Sequence, residues 1–149
     1  MRCVPYALSL VFFFVSVALA APTSKLPRAE FVNVMQGDYV VVGKKPDAQT
    51  AYVGRLTFRP RGNKLAFART VAGRTVRGVA TLELTATETP VPVLRMHFVQ
   101  DGQRYEATFQ WMIDLDNYAR FTGYVYRPDG TTKEGGLEML FPRLPSVRE

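Results

Sequence analysis

Cysteine and histidine are almost missing from this sequence of 149 residues, which has one of each, Cys3 and His97. Cys3 precedes an apolar run over residues 4–19, and small residues stand at 18 and 20. A basic start, a short apolar stretch and a small-residue site are typical of a secretory signal peptide, so we expect cleavage before Ala21. The mature chain would then hold no thiol, which excludes disulfides, thiolate zinc sites and a cysteine nucleophile. We therefore expect a secreted or periplasmic protein.

Residues that carry catalysis are equally sparse. A lone histidine excludes a multi-histidine metal site, and a serine triad would have to combine His97 with Ser24 or Ser146, the only serines after residue 20. Alternation places the strand carboxylates on the outer face with one exception at most, and they are Glu83, Glu106, Glu134 and Glu138. We assign no catalytic residue, metal or cofactor and expect a protein other than an enzyme; a cyclase-like enzyme that acts by the shape of its interior is the weaker alternative.

Beyond residue 20 the sequence lacks an apolar run long enough to span a membrane. Its composition, 47% hydrophobic and 21% charged, is that of one globular domain. We expect a signal peptide at 1–20, a lead-in at 21–36, a β-barrel domain at 37–142 and a tail at 143–149. The lead-in is either unstructured or forms a short helix that closes one barrel end with Phe31, Val34 and Met35.

From Asp38 onward the sequence has no 3.6-residue apolar stripe, and apolar and polar residues alternate with period two instead. The alternation predicts eight strands, near 38–43, 51–59, 64–71, 74–84, 93–99, 103–112, 118–127 and 132–141. Turn pairs such as Ala72-Gly73 and Asp101-Gly102 separate them, and no connection has room for a crossover helix. The predicted fold is all-β, an eight-stranded antiparallel up-and-down barrel, because closure removes the unpaired edges of a sheet.

Alternation also predicts which side chains face the interior, with the apolar set of each strand turned inward. For strand eight the inward set is Leu137, Met139 and Phe141, with Glu138 on the other side. Arg69 stands apart because it shares parity with Phe67. Either Arg69 pairs with a ligand carboxylate or phosphate in the lumen, or it reaches the barrel mouth or an internal acid.

Glycines recur inside the predicted strands, for example at Gly54, Gly78 and Gly123. A glycine within a strand marks a bend or a close approach of two segments. Two interpretations stay open at this point. The glycines either provide the kinks that close a barrel, or they leave interior volume for a ligand.

Three segments carry a resemblance, GDYVVVG at 37–43, YVGRL at 52–56 and GGLEMLFP at 135–142. With them the sequence resembles a group of small secreted bacterial proteins of unknown function that are calycin-like (lipocalin-like) in outline. The resemblance implies a barrel entered through a short helical turn. It places Tyr39 where lipocalins have a conserved tryptophan, and Arg143 nearest to the arginine that covers this aromatic residue.

Acidic residues are absent between Asp47 and Glu83, a stretch that holds seven basic residues. Its outward arginines on strands two and four, Arg55, Arg59 and Arg77, are our candidate face for an anionic partner. The alternative is an ordinary soluble surface paired with acids of other strands. Nucleic acid is not the expected partner, because few exposed aromatic residues accompany the arginines.

Strand seven is ambiguous, since aromatic residues occur on both of its faces. One face holds Tyr118, Tyr124 and Tyr126, and the other holds Phe121 and Val125. If Phe121 points inward, the tyrosines form an exposed stripe suited to protein contact. The reverse orientation would line the lumen with tyrosine hydroxyls.

Two functions are compatible with these patterns. The first is an exported barrel that holds a small apolar or amphipathic ligand in its lumen. Its ligand-binding residues would be Tyr39, Tyr52, Phe67, Arg69, Phe109 and Trp111. The alternative is an adhesion or inhibitor-like protein that binds an anionic or protein partner through its outer face.

Overall fold

The computed structural model describes residues 28–113 and 119–143, and these form a short helix and eight strands. Helix α1 spans Arg28–Met35. The strands are β1 Gly37–Lys44, β2 Ala51–Arg61, β3 Lys64–Val71, β4 Arg74–Leu84, β5 Pro92–Gln100, β6 Gln103–Ile113, β7 Ala119–Tyr126 and β8 Gly136–Pro142. The predicted signal peptide and Tyr118 lie outside the described residues.

Each strand pairs antiparallel with the next one along the chain, and β1 also pairs with β8, so the sheet is a closed barrel. Two of the connections are two-residue turns in which both residues have positive φ, 50° and 74° at Ala72-Gly73 and 54° and 75° at Asp101-Gly102. Such turns match the right-handed twist of the strands that they join. The predicted eight-stranded antiparallel up-and-down barrel is confirmed.

Aromatic and aliphatic side chains fill the middle of the barrel. Phe58, Phe109 and Phe121 are at most 1% exposed. Tyr39 packs edge-on against Phe58 and Phe121, with ring centroids 5.7 and 5.4 Å apart. Burial of such rings is the main source of stability in a chain of this size. The central interior is therefore packed solid by the protein's own side chains.

Helix α1 covers the end of the barrel where the β2–β3 hairpin lies. Val32 and Met35 are buried, and the Phe31 ring meets the Trp111 ring edge-on at a centroid distance of 5.1 Å. The helical alternative for the lead-in is thus confirmed, except that Val34 is 41% exposed and Val32 takes its place. No helix in the described ranges is both long and apolar enough to cross a membrane.

The predicted facing of β8 is wrong. The side chains predicted to point inward are all exposed by 37–39%, namely Leu137, Met139 and Phe141. Glu138 and Leu140 are completely buried instead. The reason is Arg69, which is buried on β3 and needs a counter-charge, because an unpaired buried ion costs more than three exposed apolar side chains.

Candidate functional site

Arg69 lies inside the barrel with only 4% of its surface exposed, and every nitrogen of its guanidinium has an acceptor. Nε donates to Glu138 Oε1 at 3.0 Å, and Nη2 donates to the same carboxylate and to the Tyr52 hydroxyl at 3.0 Å. Nη1 donates to Gln100 Oε1 at 3.2 Å, and Tyr52 donates its own proton to Glu138. These four residues, called the Arg69 cluster below, join β2, β3, β5 and β8 by charge-assisted hydrogen bonds.

Aromatic rings surround the guanidinium as well. The Arg69 Cζ atom lies 5.4 Å from the Tyr52 ring centroid and 5.2 Å from that of Phe98. Phe98 in turn stacks on Tyr105, with centroids 5.6 Å apart and planes 23° from parallel. Cation–π contacts of this kind favour a cation that is removed from water. Aromatic rings and hydrogen bonds together therefore hold the guanidinium in place.

The environment of the cluster fixes its protonation. Burial acts to lower the pKa of Arg69, but the Glu138 carboxylate outweighs burial, and the pKa is raised. Burial and the negative charge of Glu138 together raise the pKa of the Tyr52 hydroxyl well above its usual range. Tyr52 thus stays a neutral donor and Arg69 a cation. Glu138 Oε2 is buried and has no hydrogen-bond partner among residues 28–113 and 119–143.

A recess lies above the cluster at the end of the barrel opposite α1. Its cavity volume is about 50 Å³, which is room for roughly three water molecules. Whole small-molecule pockets are larger, about 300–1,000 Å³. The recess is therefore too small to enclose a whole small molecule. Its lining is Lys45, Pro46, Tyr52, Arg69, Val71, Phe98, Gln100, Asp101, Tyr105 and Val125.

Charges around the recess do not balance. The buried pair Arg69–Glu138 cancels, and at the rim Asp101 is paired with Arg74. Lys45 is exposed at the same rim and forms no ion pair within the described part of the chain. The mouth of the recess is therefore positive by one charge and favours an anionic group.

The predicted lumen residues all lie on the inner face, but they do not form one site. They are Tyr39, Tyr52, Phe67, Arg69, Phe109 and Trp111. Tyr52 and Arg69 line the recess. Tyr39 donates its hydroxyl proton to the carbonyl of Met35 at 2.9 Å, and burial raises its pKa to about 12. Phe109 belongs to the solid centre, and Trp111 packs under α1.

The glycines within strands make room for rings rather than for a ligand. A Cβ atom at Gly78 would lie 2.7 Å from Cζ of Phe67, and one at Gly123 would lie 2.7 Å from Cδ1 of Phe109. Both distances are too short for any side chain, so these glycines are sites of close approach. The second interpretation, volume left for a ligand, has no support at these positions.

The predicted arginine face lies on the outside of β2 and β4. Arg55 and Arg77 are exposed and have no side-chain partner in the described ranges, whereas Arg59 pairs with Asp38 at 3.2 Å. Arg143, which the resemblance placed over Tyr39, is exposed, and its backbone N–H donates to the Asp38 carbonyl at 2.7 Å. Two of the three predicted arginines are thus available to a partner.

The predicted tyrosine stripe has one free member in the described residues. Phe121 and Val125 point inward, so the first orientation of strand seven is the observed one. Tyr124 is 62% exposed. Tyr126 is half-buried and donates to Glu106, while Tyr118 falls outside the described ranges. A continuous stripe is not formed by the part of β7 that can be seen.

Sequence reasoning missed Gln100 and Lys45 of the recess and Glu138 of the Arg69 cluster. Gln100 is the last residue of β5 and Lys45 follows the last residue of β1, and at these positions alternation no longer assigns a side. Glu138 was detectable, because an inward arginine requires an acid of inward parity on some other strand. Its apolar neighbours in sequence concealed that signal.

No family model matches the sequence, and no curated protein sequence is significantly similar to it. The class of the protein therefore rests on its architecture. It is a closed, eight-stranded antiparallel barrel with a helix over one end and a polar recess at the other. This architecture is compatible with the calycin-like fold that the resemblance implied.

Proposed function

We propose that the protein is a small exported binding barrel that holds the anionic end of an amphipathic ligand in the recess. The observation that carries the proposal is the buried Arg69 beneath an opening to solvent. Nη1 of Arg69 has two protons and one acceptor, Gln100, among the described residues. The second proton is a donor for a ligand oxygen.

The remaining walls of the recess suit the apolar part of such a ligand. Phe98 and Tyr105 form one stacked wall, and Val71 and Val125 add aliphatic surface. Lys45 at the rim supplies the unbalanced positive charge. Because the centre of the barrel is filled by Phe109 and its neighbours, the ligand enters by one end only and its tail remains in the mouth.

Three probes of equal chain length and different head charge test this proposal, namely decanoate, decanol and decyltrimethylammonium. Isothermal titration calorimetry of the protein with each probe should show the tightest binding for decanoate and the weakest for the cation. Equal affinity for all three heads would contradict an anion-selective recess. Absence of binding for all three would contradict the whole proposal.

Two substitutions locate the binding. Lys45→Gln should weaken decanoate about two- to fivefold, the effect of one exposed charge, and should leave decanol unchanged. Tyr105→Ala should weaken both probes, because it removes half of the aromatic wall. Lys133→Gln is the matched control, since Lys133 is exposed on the β7–β8 loop outside the recess lining. An equal loss in Lys133→Gln and Lys45→Gln would place the ligand elsewhere.

Export is the second part of the proposal, and it is supported by the pattern of residues 1–20. Expression of the full chain in a bacterial host, followed by mass spectrometry of the periplasmic and medium fractions, tests it. We expect a product that starts at Ala21. A full-length product that stays with the cytoplasmic fraction would contradict export.

The alternative function, recognition of an anionic or protein partner by the outer face, has separate support. Arg55 and Arg77 are exposed without side-chain partners in the described ranges, and Tyr124 is exposed on another side. Arg77 also lines a groove on the outside of the barrel.

A further inference from the structure

A groove runs along the outside of the barrel across β4, β5 and β6. Its volume is about 570 Å³, within the size range of ligand pockets. Its polar lining is Arg77, His97, Arg104 and Glu106, with Val99 as an apolar floor and Pro128 at the far wall. We call it the arginine groove. A second hollow continues it past Arg104 and Pro128, so that the groove is open at that end.

The charge of the arginine groove is positive, and among the described residues the one acid that lines its continuation is Asp129. Arg77 and Arg104 are exposed, and neither has a side-chain partner within residues 28–113 and 119–143. Glu106 is the acid of the groove, but it is already held by Arg95 and by the hydroxyl of Tyr126. The negative charge of Glu106 is therefore neutralised within the protein, and the guanidinium groups of Arg77 and Arg104 remain for a ligand.

The spacing of the arginines follows from the register of the strands. Val99 of β5 pairs with Arg104 on β6. On the other side, His97 of β5 pairs with Val79 on β4, and Val99 and Arg77 are each two residues further along their strands. Val99 therefore lies between Arg77 and Arg104. The pairing of β4 with β5 ends at Val79 and His97, so Arg77 and Val99 lie just beyond it in the lining of the groove. On the other side of Arg77, Ala68 of β3 and then Thr57 of β2 lie in register with it, and Arg55 is two residues along β2 from Thr57.

We propose that the arginine groove binds an acidic polysaccharide, a sugar chain with repeated sulfate or carboxylate groups. Planar guanidinium groups bind such oxyanions in bidentate fashion. Val99, which is 57% exposed between the two arginines, offers a floor for the apolar face of a sugar ring. The open end lets a chain pass through rather than end in the groove.

Other anionic macromolecules fit the groove less well. Single-stranded nucleic acid needs rings on which its bases stack. The two aromatic residues at the groove are Phe98 and Tyr105, and their rings stack on each other. Both belong to the inward-facing side of the barrel wall, as buried Ala107 does. A lipid surface needs several apolar side chains that insert, and Val99 and Pro128 are the exposed apolar residues in the lining of the groove.

The test compares three ligands, a heparin-derived octasaccharide, a single-stranded DNA oligonucleotide and vesicles that contain anionic lipid. We expect the octasaccharide to bind most tightly, with an affinity that falls as salt rises. Arg77→Gln/Arg104→Gln should weaken it about tenfold or more, because two charged hydrogen-bond donors are lost. The matched control is Lys44→Gln/Lys133→Gln, which removes the same charge outside the groove and should change affinity less than twofold.

Several outcomes would overturn the proposal. One is equal weakening in the two double variants, which would show that net charge alone is responsible. Another is tighter binding of the DNA or of the vesicles, with loss in Arg77→Gln/Arg104→Gln, which would assign the groove to that partner instead. The third is absence of octasaccharide binding at low salt. Decanoate binding at the recess should be unchanged in both double variants. A failure of the groove proposal can therefore be distinguished from a failure of the recess proposal.

Discussion

Burial of Arg69 inside the barrel costs free energy and determines which face of β8 points inward. Its guanidinium is almost completely buried, so its hydrogen bonds to Glu138, Tyr52 and Gln100 replace most of its solvation. Pairing with Glu138 returns part of the cost of burying two charges. The pair also decides the side of β8, because only one face of that strand brings Glu138 to Arg69.

Glu138→Leu should therefore be strongly destabilising, since it leaves Arg69 buried without its counter-ion. We expect a loss of about 3–5 kcal/mol in the free energy of unfolding, measured by urea denaturation. The double variant Arg69→Met/Glu138→Leu removes both charges and should recover most of the loss. A single variant as stable as the wild type, or a double variant less stable than the single one, would contradict this account.

Single-residue environments were only partly predictable from the sequence. Arg69 was recognised because it breaks an otherwise apolar face, and an internal acid was one of its expected partners. Glu138 was assigned outward because Leu137 and Met139 beside it are apolar. Alternation reports the average of a strand, whereas the energy of one buried ion pair can outweigh that average.

At the scale of the elements, tight connections and alternation carried most of the prediction. β3 and β4 were placed at their observed bounds because Ala72-Gly73 permits only one kind of turn. Helix α1 was predicted as one of two alternatives, since eight residues are too few to show a helical stripe. Its position became certain only through tertiary contacts, such as that of Phe31 with Trp111.

Gly78 provides a test of the close packing between β3 and β4. Gly78→Ala should lower the free energy of unfolding by about 1–3 kcal/mol, because the new Cβ would lie 2.7 Å from Cζ of Phe67 and 2.6 Å from the carbonyl of His97. Thermal or urea unfolding measures the effect. Gly135→Ala is the control, as its Cβ would lie no closer than 3.3 Å to Tyr124, and it should change stability by less than about 1 kcal/mol. Equal effects would refute the packing argument.

For the molecule as a whole, the fold was predictable and the site was not. Period-two alternation with short turns specifies a meander, and eight strands favour closure. The recess depends on which side chains of several strands meet at one end, for example Gln100 with Arg69. No local pattern reports such a meeting. The sequence also left open whether the lumen is hollow, and that depends on how Phe109 and its neighbours pack.

Two carboxylates on the outer face, Glu106 and Asp38, should make the free energy of unfolding fall at acidic pH. Burial acts to raise the pKa of Glu106, but hydrogen bonds from Tyr126 and Arg95 outweigh it and lower the pKa. A hydrogen bond from Thr57 lowers the pKa of Asp38. Because the unfolded chain takes up these protons first, the contribution to stability is complete above about pH 5 and is lost as pH falls through the lowered pKa values.

Glu106→Gln should accordingly flatten the decline of stability between about pH 5 and pH 2, as measured by urea denaturation at several pH values. Glu88→Gln is the control, since Glu88 is exposed on the β4–β5 loop and has no ion pair in the described residues. It should keep the wild-type slope. A slope that is the same in all three proteins would show that Glu106 does not contribute.

The pairing of β1 with β8 is a seam, and it leaves the sheet without a terminal strand. A chain shortened before Gly136 would expose the backbone donors and acceptors of β1 over residues 39–43 and of β7 over residues 121–125. Open edges of that kind recruit strands from neighbouring molecules. By closing the barrel, β8 thus leaves the described sheet with no free strand edge at which two molecules could pair.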